Sequence, residues 1–290
     1  MKEQDRRLTA IYILPAGCRF RRICRLILFI LLCCAVPSGY ADTRNIKIFT
    51  IEADFALDSI EEELTQLDRL TDEICRQLRL PKIEERVLVH IFPDETAWRT
   101  FYKQKYPNSR YTRALFLWKD QLLNRSGYRG EVFLCLNDKF LCDMRHECTH
   151  AVLSAALHKQ IPIWIDEGIA EYFETENAGI QNSAWLNRTQ ARIAAGKVLP
   201  VAQLEKFSGM NNMTAERYCD CWAWVCYLLN GPEEIRQIIP GYLNDLGQRK
   251  LFPSPVSRRL VQVTRQNAEN GFARFFQSIT PSSAENEVPR

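Results

Sequence analysis

Apolar and polar positions alternate along this chain in two rhythms, and the rhythm changes partway. Asn45–Ala53, carrying Ile46, Ile48 and Ile51, reads as a strand. Leu57–Leu78 then repeats apolar residues at helical spacing (Leu57, Ile60, Leu64, Leu67, Leu70, Ile74), and Pro81 marks where that helix must have stopped. Arg86–Phe92 alternates through Val87, Val89 and Ile91, a second strand, with His90 as a strand-face residue. Pro93-Asp94 supplies a start signal for a helix over Glu95 to about Lys105. Tyr111–Trp118 and Glu131–Leu136 read as two further strands around a polar loop at Asn124–Gly130. Glu131–Leu136 is expected at the sheet edge beside a cleft, where it could pair with an extended peptide; an internal position is the alternative.

From Leu141 onward the pattern is helical and strongly apolar. Beyond Glu176 the predicted elements are all helices: Ala184–Ala195, Val201–Phe207, Thr214–Leu229, Glu233–Leu246 and roughly Pro255–Gln277. The order implies an α+β chain, a twisted mixed sheet beside buried helices, with a C-terminal helical subdomain closing the far wall of a cleft. The expected divisions are 1–41 as a leader, 42–178 as the sheet and first helices, 179–280 as the helical subdomain, and 281–290 as a disordered tail.

The leader has its own composition. Arg19, Arg21, Arg22 and Arg25 precede an apolar run from Leu26 to Val36, and Pro37, Ser38, Gly39, Tyr40 and Ala41 follow. A basic region, a short apolar stretch and small residues at its end predict a secretory signal peptide, with cleavage after Ala41 and a secreted or periplasmic destination. An uncleaved anchor is the alternative reading. The whole chain carries a formal charge of +3, whereas residues 1–41 carry seven Lys/Arg and two Asp/Glu, so the remainder is near −2. The basicity therefore belongs to the leader and does not argue for nucleic-acid binding. Seven cysteines follow Ala41, an odd number that leaves at least one unpaired, and Cys219 and Cys221 stand too close on a helix to pair with each other.

The chemistry concentrates in two short elements. His146-Glu147-Cys148-Thr149-His150 is an H-E-x-x-H within an apolar helical segment. Positions i and i+4 share a helix face, so His146 and His150 can offer imidazole nitrogens to one ion. Glu147 lies between them, within reach of a water bound there. Sixteen residues, Ala151–Asp166, separate His150 from Glu167, which opens E-G-x-A-E-Y, and that spacing lets a second helix return a carboxylate. Two His and one Glu with a place left for water is the catalytic rather than the structural zinc arrangement. Asp166 is a rival for the third place. Glu171, one turn after Glu167, is expected to accept a hydrogen bond from the far nitrogen of His146. Cys148 reads as a small buried hydrophobe and His158 as a surface residue.

The pair "HECTH … PIWIDEGIAEYFE" resembles the gluzincin zinc metallopeptidases, most closely the bacterial peptidase-MA-like family of exported proteins. The likeness continues upstream in "RVLVHIFPDETAWRTFY" and downstream in "YCDCWAWVCYLL", and spans roughly residues 46–280. It is most specific at the two metal elements. The metzincin pattern does not fit, because positions 153 and 156 are Leu and Ala. The resemblance implies a zincin-like fold, one Zn²⁺ on His146, His150 and Glu167, Glu147 as general base, and peptide or protein substrates. It also implies an oxyanion-stabilising role for Tyr218, near the start of the helical half. A zinc hydrolase acting on a cell-wall or other non-protein amide, and a non-catalytic binding module on the same fold, are the alternatives.

Overall fold

The computed structural model describes residues 42–118, 127–174, 180, 183–210, 213–248, 253–264 and 268–280. The proposed leader and the proposed tail lie outside them. Among the described residues no helix is long and apolar enough to cross a membrane.

The first predicted strand is two. Asp42–Ile46 (β1) and Phe49–Ala53 (β2) form an antiparallel hairpin in which Ile46 faces Phe49. The turn is made by Lys47, whose φ of 49° is left-handed, and by Ile48. The apolar rhythm slips at the reversal, where Ile48 and Phe49 are adjacent, and the short segment still reads as a single strand. Arg86–Phe92 (β3) then pairs parallel with β2. Tyr128–Cys135 (β5) pairs parallel with β3 and antiparallel with Leu115–Trp118 (β4). The sheet order is β1-β2-β3-β5-β4.

This order corrects the expected edge. β5 is internal, and β4 is the edge strand. The predicted strand Tyr111–Trp118 is also shorter than its pattern suggested. Its start bonds elsewhere: the Trp98 indole donates to the Thr112 carbonyl at 2.9 Å, and just before the predicted strand the Tyr102 hydroxyl donates to the Arg110 carbonyl at 2.8 Å. Those carbonyls secure a helix rather than a ladder.

Each sheet face has its own apolar layer. Phe49, Ile51, Val87, Val89, Ile91, Val132 and Leu134 face the main core with two long helices, Glu61–Leu78 (α1) and Phe140–Leu157 (α3). A 3₁₀ turn at Leu57–Ile60 opens the first of these, and Arg79 in the left-handed conformation closes it. On the opposite face Glu95–Lys105 (α2) lays Trp98 and Tyr102 against Leu115, Phe133 and Cys135. The Asp94 carboxylate accepts from the Ala97 N–H at 2.8 Å, the predicted helix start.

α3 is buried all round from Asp143 to Leu157, which is why its sequence lacks an amphipathic stripe. Ile163–Phe173 (α4) and the central part of Ala215–Asn230 (α7) are buried in the same way. α3 packs on α4, and α4 on α7. The remaining helices are Ser183–Ala194 (α5), Val201–Leu204 (α6), Glu233–Arg236 (α8), Ile238–Gly247 (α9), Val256–Thr264 (α10) and Ala268–Gln277 (α11). The stretch Glu233–Leu246, expected as one helix, is interrupted at Gln237. That expected over Pro255–Gln277 is two, with 265–267 outside the described residues. One continuous apolar core joins the sheet residues to Trp222, Leu260 and Phe276 of the helical half.

Candidate metal centre

Two adjacent helices build the site. His146 and His150 lie one turn apart on α3, with ring centroids 5.0 Å apart and planes at 74°. α4 brings Glu167 against them. His146 Nε2 and His150 Nε2 are 3.3 Å apart, and Glu167 Oε2 stands 3.6 Å from the first and 3.8 Å from the second. Donor atoms about 2.0–2.2 Å from a small tetrahedral ion lie about 3.3–3.6 Å from one another. The three buried side chains could therefore hold a metal ion. Among the described residues, Glu167 Oε2 and both carboxylate oxygens of Glu147 are buried without a hydrogen-bond partner. Leaving such atoms unmatched is costly, so the donor set fits a cation there.

The imidazoles are oriented from behind. Asp166 Oδ1 lies 2.9 Å from His150 Nδ1, and Glu174 Oε2 lies 3.3 Å from His146 Nδ1. These carboxylates leave the Nε2 atoms of both rings turned toward Glu167. Asp166, weighed from the sequence as a third ligand, is placed instead as the orienting partner of His150. The partner expected for His146 was Glu171; Glu174 stands at that nitrogen. Glu171 accepts from the Trp185 indole at 3.0 Å, which ties α4 to α5, and its charge is felt at His146. The cause is helical phase: Glu167, Glu171 and Glu174 form an i, i+4, i+7 stripe, and Glu174 was legible in that spacing. His146, Glu171 and Glu174 also bring donor atoms within 4.8 Å of one another.

The site is deeply buried. Glu147 is fully buried, and His146, His150 and Glu167 are at most 2% exposed. Phe116 of the edge strand stacks on His150 at 6.5 Å and 13°. The ring is seated over Gly130, where a Cβ would approach Phe116 Cε2 to 2.5 Å. Two arginines offset some of the acid. Arg145 donates to the Phe173 carbonyl at 2.9 Å, and Arg113 grips Asp143 through two hydrogen bonds of 2.6 and 2.8 Å. Neither arginine was flagged by sequence, since nothing local connects them to the histidines.

Burial works against a charged His150, but Asp166 and Glu167 outweigh it and push the ring up to about 9. Burial likewise opposes charge on His146, and Glu167 and Glu174 override it, raising the ring well above its ordinary value. Burial also pushes the Glu147 carboxyl up, with His146 and His150 pulling the other way.

The other candidates are placed as follows. Tyr218 sits buried in the first turn of α7, one turn before Cys221, whose backbone meets α4 at Gly168. Cys148 is buried on α3 among apolar side chains. All seven described cysteines are free thiols. His90 stacks on Phe133 at 4.9 Å and lies 3.6 Å from Glu52, away from the centre. His158 caps α3 in the left-handed conformation and pairs with Glu85 at 3.2 Å.

A scan of the chain against protein-family models finds no match, and a search of curated proteins finds no relative.

Proposed function

We propose that this protein is an exported zinc-dependent peptidase. One observation carries the reading: three donor atoms on His146, His150 and Glu167 converge at ligand spacing beside the unpartnered carboxylate of Glu147. Two imidazoles and one carboxylate suit zinc, and they leave a coordination place open. Held there, the ion would supply Lewis acidity, polarising a scissile carbonyl and acidifying a water.

Glu147 has the chemistry of the base. It is next in sequence to His146 but offers no donor to the converging set, and its carboxyl is raised by burial, so it can accept and release a proton. It takes a proton from the attacking water as the new C–O bond forms. It returns that proton to the leaving amine as the C–N bond breaks. Tyr218 is the proposed hydrogen-bond donor to the developing oxyanion. The edge strand β4, rather than β5, is the ladder an extended peptide would join. Export rests on the basic and apolar pattern before Ala41.

The test is metal analysis of the purified mature protein together with cleavage of a generic peptide library. One zinc per chain and cleavage abolished by Glu147→Gln is the expected result. Full cleavage by the Glu147→Gln protein would overturn the assignment. A panel containing cell-wall amides and peptides would reveal which amide is the substrate.

A further inference from the structure

We infer that Arg145 is a positioning residue of the metal centre: reaching across from α3, its guanidinium caps the end of α4 and fixes that helix against the two histidines. This rests on the proposed metal reading of that centre. α4 ends at Phe173, and the last carbonyls of a helix have no partner within it. The same end is the negative pole of the helix dipole, where a basic side chain is the favourable complement. α4 has no basic residue in its last turn; it carries Glu171 there and Glu174 at its cap. The cation comes instead from the neighbouring helix. Arg145 Nε donates to the Phe173 carbonyl at 2.9 Å, from a side chain only 3% exposed.

Burying a cation is costly, so its place in the fold carries information. Arg145 immediately precedes His146 on α3, and Phe173 immediately precedes Glu174 on α4. The following residues meet as well: Glu174 Oε2 lies 3.3 Å from His146 Nδ1. Two neighbouring cross-links thus join the helices, one to the main chain of α4 and one to the imidazole of a metal-facing histidine. Glu167 stands two turns before Glu174 on the same helix, with Oε2 3.6 and 3.8 Å from the two Nε2 atoms. A short helix moves as a unit, so holding its last carbonyl against α3 limits how far Glu167 can slide or rotate past the histidines. Glu73 of α1 is the looser contact of Arg145. It lies 3.9 Å from a terminal nitrogen and is 29% exposed, so water screens it.

The experiment uses the metal alone as probe. Zn²⁺ affinity is measured by competition with a chromophoric chelator, and the visible absorption bands of the Co²⁺-loaded protein report the geometry of the donor set. Thermal unfolding is followed alongside. Arg145→Met should weaken zinc by about 10–100-fold, the range for losing a group that orients ligands from behind, and should shift the Co²⁺ bands. Arg145→Lys, which keeps a cation able to donate to one carbonyl, should return the bands and most of the affinity. Glu73→Gln should leave both as in wild type. Where Arg145→Met does not fold, Arg145→Gln, with neither the charge nor the reach, is read by the same outcomes. A lower unfolding temperature with unmoved Co²⁺ bands and wild-type affinity makes Arg145 a stabilising residue only, which overturns the inference while leaving the metal centre standing. A wild-type protein that takes up neither ion overturns the metal reading and the inference with it.

Discussion

Gly168 of α4 presses against Cys221 of α7 so closely that a Cβ built on it would lie 2.7 Å from the Cys221 carbonyl oxygen. The same atom would lie 2.7 Å from Val225 Cγ2. A carbonyl within a buried helix cannot swing aside as a flexible side chain can. Gly168→Ala should therefore separate α4 from α7, at a cost of about 1–3 kcal/mol for overpacking a tight core. Glu167 is the adjacent residue, so its carboxylate would move relative to both histidines. Urea unfolding should show the lost stability, and chelator competition should show weaker zinc binding. An unchanged affinity in the destabilised variant would mean that the helix contact does not set the position of Glu167.

His150 should depend on Asp166 in the way a ligand depends on its orienting carboxylate. Asp166→Ala removes the group 2.9 Å from His150 Nδ1 without removing a donor. Zinc affinity should fall by about 10–100-fold while saturation stays at one ion per chain. A loss of stoichiometry rather than affinity would instead make Asp166 a ligand.

Glu147→Gln preserves size and leaves the three converging donors untouched. Zinc content should be retained, and peptide cleavage should fall by at least the roughly 10²–10⁴-fold attributed to a positioned general base. Because both oxygens of Glu147 are buried without partners, the neutral amide should also be tolerated, or even favoured, in the metal-free protein. Thermal unfolding of chelator-treated samples checks that second outcome. A variant that folds but loses its zinc would remove Glu147 from the role of base.

The metal-free protein should lose stability as the solution is made alkaline. His150 is raised from 6.5 to about 9 in the folded chain, and His146 is raised as well. A raised folded pKa means the native state holds its proton more tightly than the unfolded chain. The resulting stabilisation is complete below about pH 6.5, the unfolded value, and disappears as pH climbs through about 9. Denaturant midpoints of chelator-treated protein should fall across that window. Zinc uptake near neutral pH should then release protons, visible in calorimetry as a heat that varies with buffer ionisation enthalpy.

Glu171→Ala should be felt more in folding than in metal binding. The Trp185 indole would lose an acceptor at 3.0 Å in a buried place, a loss of about 1–3 kcal/mol. Zinc affinity should decline less than in Glu174→Gln, since Glu174 stands at the His146 nitrogen. A larger affinity loss from Glu171→Ala would return the orienting role to Glu171.

Elements with local signals could be read directly from the chain. α2 starts where Asp94 predicted, β3 occupies Arg86–Phe92, and the two histidines share a face because a helix repeats every 3.6 residues. The convergence of Glu167 on them was legible too, since the spacing leaves room for a turn between the end of α3 and the start of α4. Features that depend on which strand lies beside which were set by long-range packing. The hairpin at Lys47 lies where the alternation slips at Ile48-Phe49, a break that a single strand over Asn45–Ala53 passes over, and β5 is internal because β4 folds back antiparallel against it. The partners of the imidazoles divide the same way. Asp166 was weighed from the sequence as a ligand and Glu171 as the partner of His146, while Glu174 was passed over although it continues the same acidic stripe. Which carboxylate meets which ring, however, depends on the rotation of α4 against α3, and packing sets that rotation at Gly168 and Cys221. Arg113 and Phe116 reach the site across a sheet edge, about thirty residues from the histidines in sequence, so no periodicity within either segment could announce them.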